Sequence, residues 1–216
     1  MKTNSEIPTS IKGIINAVFD NTCGTYRDIF EKYLPTNNID NNRATGFTER
    51  NLTFNFCHNY LNLYKGIVWQ EMTIIGQSHQ HIDSVIVHSD DQFDTLFLIE
   101  AKRLHSPWHF EELISEKTGD KYTTRQHKTN KSGNYGDLYR LRTHYKDIPI
   151  YNSLKTKKEC YAILLADFLI QRGENKQSTN KHKDYHSLYQ KYFNKEDLVF
   201  KDANMEYYLY YNVSSI

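Results

Sequence analysis

Three charged residues stand in apolar stretches of the chain, where charges are unexpected. Asp83 interrupts the run HIDSVIV, and Glu100 and Lys102 end the run TLFLIEAK. Alternate residues of a strand share a face, so Glu100 and Lys102 are expected to point the same way. Burying an unpaired charge is costly, so each of these side chains must meet water, another charge or a bound partner.

A short hairpin would place Asp83 beside Glu100 on one face of a sheet. Two neighbouring carboxylates repel each other unless a cation lies between them. Hard oxygen ligands suit Mg²⁺ or Mn²⁺. Lys102, next to such a site, could orient or deprotonate an attacking water or hold a phosphate. The pattern therefore predicts a metal-dependent hydrolytic site.

Hydrophobic periodicity predicts the elements that position these residues. The N-terminal half is expected to form two helices, the second capped by Thr48, and three strands. The last two strands are expected to pair as an antiparallel hairpin. The predicted ranges are 9–34 and 48–64 for the helices, 36–46 for the loop between them, and 67–75, 81–88 and 95–104 for the strands.

The C-terminal half is expected to add helices and a strand buried on both faces. The predicted ranges are helices 107–117, 137–148 and 184–193, loops 119–136 and 171–183, strand 160–169 and a β-rich end from Met205. We thus predict one α/β domain with a mixed central sheet flanked by helices. It would comprise an N-terminal helical extension (1–46), a core (47–169) and a C-terminal helix and strand (170–216).

An aspartate, a turn and then Glu-x-Lys after apolar strand residues resemble the PD-(D/E)xK nuclease superfamily, which includes many restriction endonucleases and DNA-repair nucleases. Here the pattern reads Ile82-Asp83 followed by Glu100-Ala101-Lys102, with Ile82 where the family carries proline. The resemblance covers roughly residues 48–169, in the order of the family's αβββαβ core. It implies a restriction-endonuclease-like fold.

The same resemblance implies the site residues. Asp83, Glu100 and the carbonyl of Ala101 would bind the metal, and Lys102 would be the catalytic lysine. Glu49 would be the additional acid on the helix before the sheet, with Glu71 as the fallback. The implied activity is Mg²⁺- or Mn²⁺-dependent hydrolysis of DNA, as in a restriction or defence endonuclease. A non-catalytic nucleic-acid-binding module of the same fold is the alternative.

Charge is distributed unevenly although the net charge is only +1. Residues 121–146 hold seven basic side chains and one acid, a balance that favours a polyanion partner. We expect this segment to lie along the DNA backbone, with Arg142 the dominant arginine of its helix. The predicted DNA contacts are Arg125, Lys128, Arg140, Arg142 and Lys146.

A second metal pattern overlaps the first. His79, His81 and Asp83 alternate as HxHxD and resemble the metallo-β-lactamase type of zinc site. In that family a histidine normally follows the aspartate directly, whereas Ser84 follows it here. Zinc catalysis needs three protein ligands and an open position, so a zinc hydrolase is the less favoured alternative.

Several classes of protein are disfavoured. No P-loop, GxGxxG, GxSxG or CxxC pattern occurs. Three widely spaced cysteines favour reduced thiols, and no apolar run approaches the roughly 18 residues of a membrane helix. We therefore expect a cytoplasmic protein with no membrane partner. Whether it forms a homodimer is left open by the sequence.

Overall fold

A computed structural model describes residues 7–32, 48–89, 94–104, 137–154, 158–171, 176–203 and 205–216. The helices are α1 (Thr9–Lys32), α2 (Glu49–Leu63), α3 (Asp137–His144), α4 (Pro149–Ser153) and α5 (Lys176–Tyr192), with a 3₁₀ turn at Tyr145–Asp147. The strands are β1 (Ile67–Ile74), β2 (Gln77–Ser89), β3 (Asp94–Arg103), β4 (Lys158–Gln171), β5 (Lys195–Lys201) and β6 (Met205–Ser215).

The six strands form one mixed sheet in the order β1-β2-β3-β4-β6-β5. β3 and β4 are parallel, and the other neighbours are antiparallel. The predicted mixed sheet flanked by helices is confirmed, as is the antiparallel pairing of β2 with β3. The parallel pairing brings the end of β3 beside the end of β4, so residues from both strands can meet there.

The sheet separates two hydrophobic clusters. Side chains of β3 alternate between them: Phe97 and Ile99 pack on the side of α1 and α2, while Leu96 and Leu98 pack with α3 and α5. β4 contributes buried residues to both clusters, as expected for a central strand. The three cysteines are buried and form no disulfide. None of the described helices is long and apolar enough to cross a membrane.

Helix α2 begins as the sequence predicts. The Thr48 side chain accepts a hydrogen bond from the backbone N–H of Asn51 at 3.2 Å and so satisfies one of the free donors at the helix start. The chain leaves α2 through Gly66, where a Cβ atom would lie 2.5 Å from the carbonyl oxygen of Val87. A glycine is therefore required where α2 passes closely over the β1–β2 hairpin.

At Glu71 the alternation of β1 is interrupted, so that its side chains switch between the two sides of the sheet. This residue has a left-handed backbone (φ 53°), which is uncommon for a residue other than glycine. Val68 packs on the α1–α2 side, whereas Met72 packs in the opposite cluster although the two are an even number of residues apart. The switch directs the outer end of the hairpin toward the 3₁₀ turn, where the N–H of Ile75 donates to the carbonyl of Asp147.

One prediction for the C-terminal half is wrong, and one strand was not predicted. Residues 176–183, expected in a loop, form the first half of α5. They contain no glycine or proline, so a polar helix can extend N-terminally from the apolar anchors of its second half. The strand β5 was not predicted, because KEDLVFK has too few apolar residues to show strand alternation.

Of the remaining predictions, one helix can be compared with the structure, and one helix and two loops cannot. The helix expected over 137–148 is α3 followed by the 3₁₀ turn. The helix expected over 107–117 and the loops expected over 36–46 and 119–136 lie outside the described residues.

Candidate functional site

Asp83 lies where β2 and β3 separate. The ladder between these strands ends at the pair Ser84 and Ile99. Immediately beyond it, Oδ2 of Asp83 accepts a hydrogen bond from the backbone N–H of Ala101 at 2.9 Å. The carboxylate therefore takes the place of a strand partner for β3. This bond fixes Asp83 beside the Glu100–Ala101 segment.

Glu100 is buried on the side of the sheet that faces α3. Its side chain is only 4% exposed, and its Oε1 lies 2.6 Å from Nη2 of Arg140. Burial raises the pKa of Glu100 well above its ordinary value, and the nearby charge of Asp83 raises it further. Arg140 acts in the opposite direction and favours the carboxylate. Glu100 is thus an acid whose charge depends on a neighbouring cation.

Arg140 links Glu100 to the start of α3. Its Nη2 also lies 3.1 Å from Oδ1 of Asp137, one helical turn earlier. Burial alone would lower the pKa of Arg140, but the charges of Glu100 and Asp137 outweigh it and raise that pKa. Its Nε is buried and has no hydrogen-bond partner in the described part of the chain. The guanidinium is therefore charged, and its Nε–H donor is unused among the described residues.

Lys102 shares the face of Glu100, as the alternation of β3 requires. Its Nζ lies 3.9 Å from Oδ2 of Asp137, and its side chain is 20% exposed. Asp137 thus interacts with both cations of the site, Lys102 and Arg140. In the sequence, Asp137 was noted only as the one acid of the basic segment 121–146 and was given no role in the site.

Glu49 reaches the end of β3 from the first turn of α2. Its Oε1 accepts a hydrogen bond from the backbone N–H of Arg103 at 3.1 Å. Burial raises the pKa of Glu49, and the hydrogen bond from Arg103 opposes that rise. Lys102 and Asp83 also act on this pKa, in opposite directions, so both charges lie within electrostatic range of Glu49.

Asp167 is a site neighbour that the sequence reasoning missed. It pairs in register with Arg103, whose Nη2 and Nε lie 3.0 and 3.2 Å from its Oδ2. The same oxygen accepts a hydrogen bond from the hydroxyl of Tyr207, and burial together with Asp167 raises the pKa of Tyr207 well above its ordinary value. Asp167 is the only acid in the run CYAILLADFL. A lone acid in an apolar strand is the signal that singled out Asp83.

A cleft of about 260 Å³ opens beside Asp83. Acidic, basic and neutral polar side chains line it together. They are Glu49, Arg50, Thr53, Gln70, Glu71, His81 and Asp83. Glu71, the fallback acid, is held there by Arg50 at 3.0 Å. Glu49 and Glu71 therefore both face the space beside Asp83.

The predicted DNA-contacting residues are not gathered in one place. Arg140 is paired with Glu100 in the site, whereas Arg142 lines a different cavity with Lys12 and Asn212. Lys146 is exposed, with its Nζ 5.3 Å from the ring centre of Tyr145. The other two predicted contacts, Arg125 and Lys128, lie outside the described residues.

The predicted zinc ligands are described only in part. His81 and Asp83 both line the cleft. The side chain of His79 lies outside the described residues. The zinc alternative stays a prediction.

The predicted magnesium ligands have suitable chemistry. Asp83 and Glu100 supply carboxylates and Ala101 a carbonyl, an all-oxygen set of the kind that Mg²⁺ and Mn²⁺ prefer. Among the described residues, no group of three or more His, Cys, Asp or Glu side chains is arranged to hold a metal. The predicted set is smaller than such a group, because only two of its ligands are side chains.

No protein-family model, curated protein or solved structure matches this chain.

Proposed function

We propose that this protein is a Mg²⁺- or Mn²⁺-dependent nuclease that hydrolyses phosphodiester bonds in DNA, as a restriction or defence endonuclease does. One observation carries the proposal: where β2 leaves β3, Asp83 is bonded to the amide of Ala101, the residue between Glu100 and Lys102. An acid pair beside a lysine is the arrangement that metal-assisted hydrolysis of a phosphodiester needs.

The order of elements supports a restriction-endonuclease-like core. Helix α2, the antiparallel strands β1 to β3, helix α3 and strand β4, parallel to β3, follow one another in the order of the αβββαβ core of the PD-(D/E)xK superfamily. Glu49 comes from the first turn of α2 and bonds the backbone of β3. In such a core, the helix before the sheet would place an acid, here Glu49, beside the strand that carries Glu-x-Lys, here β3.

Asp83, Glu100 and the carbonyl of Ala101 would hold the cation. When bound, it would lower the pKa of a water molecule and stabilise charge on the phosphate. Lys102 would orient the attacking water or, as the neutral amine, accept its proton, and Asp137 near its Nζ restrains its position. Glu49 adds a carboxylate to the cleft that Asp83 lines.

DNA binding in this proposal relies on basic residues after β3. Arg142 and Lys146 of the described chain, together with Arg125 and Lys128, would contact backbone phosphates. These contacts would bind the duplex without reading its sequence.

A DNA-binding module without catalysis is the second candidate, and the Glu100–Arg140 pair favours it. This pair neutralises the buried carboxylate without any metal. A binding module that holds no metal would need such a pair for stability. Incubating the purified protein with plasmid and linear DNA, in Mg²⁺ or in EDTA, separates the two. The nuclease cuts in Mg²⁺ only, whereas the binding module retards both DNAs on a gel and cuts neither.

A further inference from the structure

The carboxylate of Glu100 is satisfied by a cation that the protein itself provides. Its Oε1 is bonded to Nη2 of Arg140, and both side chains are largely enclosed, at 4% and 23% exposure. Glu100 lies next to a second carboxylate, Asp83, whose charge raises the pKa of Glu100. The buried carboxylate of Glu100 is therefore compensated by the guanidinium of Arg140.

A divalent cation at Glu100 would meet the same carboxylate oxygens. A 2+ ion and a guanidinium close to one carboxylate repel each other, and that repulsion is strong where water is largely excluded. The two cations are therefore alternatives rather than partners at this oxygen. Binding of either cation to Glu100 therefore lowers the affinity of the carboxylate for the other.

We propose that Arg140 is a positioning residue that occupies Glu100 while no divalent cation is bound and exchanges with the cation when it binds. The inference rests on the proposed metal site at Asp83 and Glu100. It gives Arg140 a role inside the site rather than on the DNA surface.

The contacts of Arg140 provide for the exchange. Asp137 holds the same Nη2 at 3.1 Å, so a guanidinium released by Glu100 stays anchored at the start of α3. Its Nε already has no partner among the described residues. A released Arg140 would present several donors in the planar arrangement that matches phosphate oxygens. Metal binding thus prepares a phosphate ligand beside Lys102.

Calorimetric titration of the metal-free protein with Mn²⁺, without DNA and in alkaline buffer, tests the exchange. Arg140→Met removes the competing charge, and we expect it to bind Mn²⁺ at least tenfold more tightly than the parent, about 1.4 kcal/mol. Arg140→Lys keeps a charge but not the planar donors, and its affinity should lie in between. Arg27→Met is the control, because it removes a guanidinium–carboxylate pair, Arg27 with Asp197, elsewhere in the chain.

Each outcome decides a different point. Mn²⁺ affinity in Arg140→Met that equals or falls below that of the parent overturns the exchange but leaves the metal site in place. Absence of Mn²⁺ binding in the parent and in every variant overturns both the metal site and the exchange. If Arg140→Met does not fold without metal, Arg140→Lys decides: affinity no tighter than the parent's overturns the exchange.

Discussion

The carboxylate of Asp83 accepts a hydrogen bond from the backbone N–H of Ala101 at 2.9 Å, where the β2–β3 ladder has just ended. One side chain thus closes the gap between two strands and is held next to Glu100. A hydrogen-bond acceptor is enough for the first role, whereas the proposed chemistry needs a negative charge. The two roles can be separated by substitution.

We expect Asp83→Asn to abolish DNA cleavage while keeping the stability of the parent, because the amide oxygen can still accept from Ala101. Asp83→Ala should also abolish cleavage but cost about 1–3 kcal/mol of unfolding free energy, since a buried N–H is left without its acceptor. Cleavage assays and urea denaturation measure the two effects, with Asp184→Asn on the exposed side of α5 as the control. A folded Asp83→Asn protein that cuts at the parental rate would remove Asp83 from the site.

Glu100→Gln should weaken Mn²⁺ binding strongly in calorimetric titration, because a neutral amide no longer supplies the charge that holds the cation. Glu31→Gln, at an exposed position near the end of α1, should bind like the parent. Zinc binding that survives Glu100→Gln but is abolished in the double variant of His79→Ala and His81→Ala would point instead to the zinc site.

The free energy of unfolding of the metal-free protein, measured in EDTA, should fall as the pH rises. The folded-state pKa of Glu100 lies above its ordinary value of 4.5, so the folded protein holds this proton more tightly than the unfolded chain does. The resulting stabilisation is complete below about pH 4.5 and is lost as the pH passes through the raised pKa. Glu100→Gln should flatten this fall, and Glu31→Gln should not. Equal slopes in urea denaturation for the parent and Glu100→Gln would show that Glu100 does not bind the extra proton.

Arg142→Glu should weaken DNA binding for all sequences and flatten its salt dependence. On duplex DNA, the slope of log affinity against log salt becomes shallower by about 0.9 for each phosphate that the protein no longer neutralises. Arg140→Glu should have the smaller effect on the slope, because Arg140 is paired with Glu100. Binding of each single variant at several salt concentrations measures this. Unchanged affinity and slope for Arg142→Glu would show that α3 does not contact DNA.

Much of the fold follows from strong local patterns. The stripe of α1, the Thr48 cap of α2 and the apolar run of β4 each specify an element without help from distant residues. β5 is different, because its seven residues owe their strand conformation to pairing with β6 at the sheet edge. The first half of α5 likewise lacks an apolar stripe and extends from the second half.

The predicted site residues of β2 and β3 could be found because charges in apolar strands stand out. Asp167 carried the same signal, and the parallel pairing of β3 with β4 is what brings it to Arg103. The pairing of Arg140 with Glu100 had no such signal, since the two are 40 positions apart in sequence and a basic segment suggests a polyanion surface. The face change at Glu71 was also hidden, because a left-handed glutamate has no sequence signature.

Lys102 is proposed to act in a metal-dependent cleavage of DNA. The most direct measurement compares the plasmid-cleavage rates of the parent, Lys102→Ala and the exposed α5 control Lys191→Ala, in Mg²⁺ and in EDTA. The proposal predicts cleavage by the parent and Lys191→Ala in Mg²⁺ only, with Lys102→Ala slower by at least about a hundredfold while folded. Cleavage by folded Lys102→Ala at the parental rate, or no Mg²⁺-dependent cleavage by the parent, would contradict it.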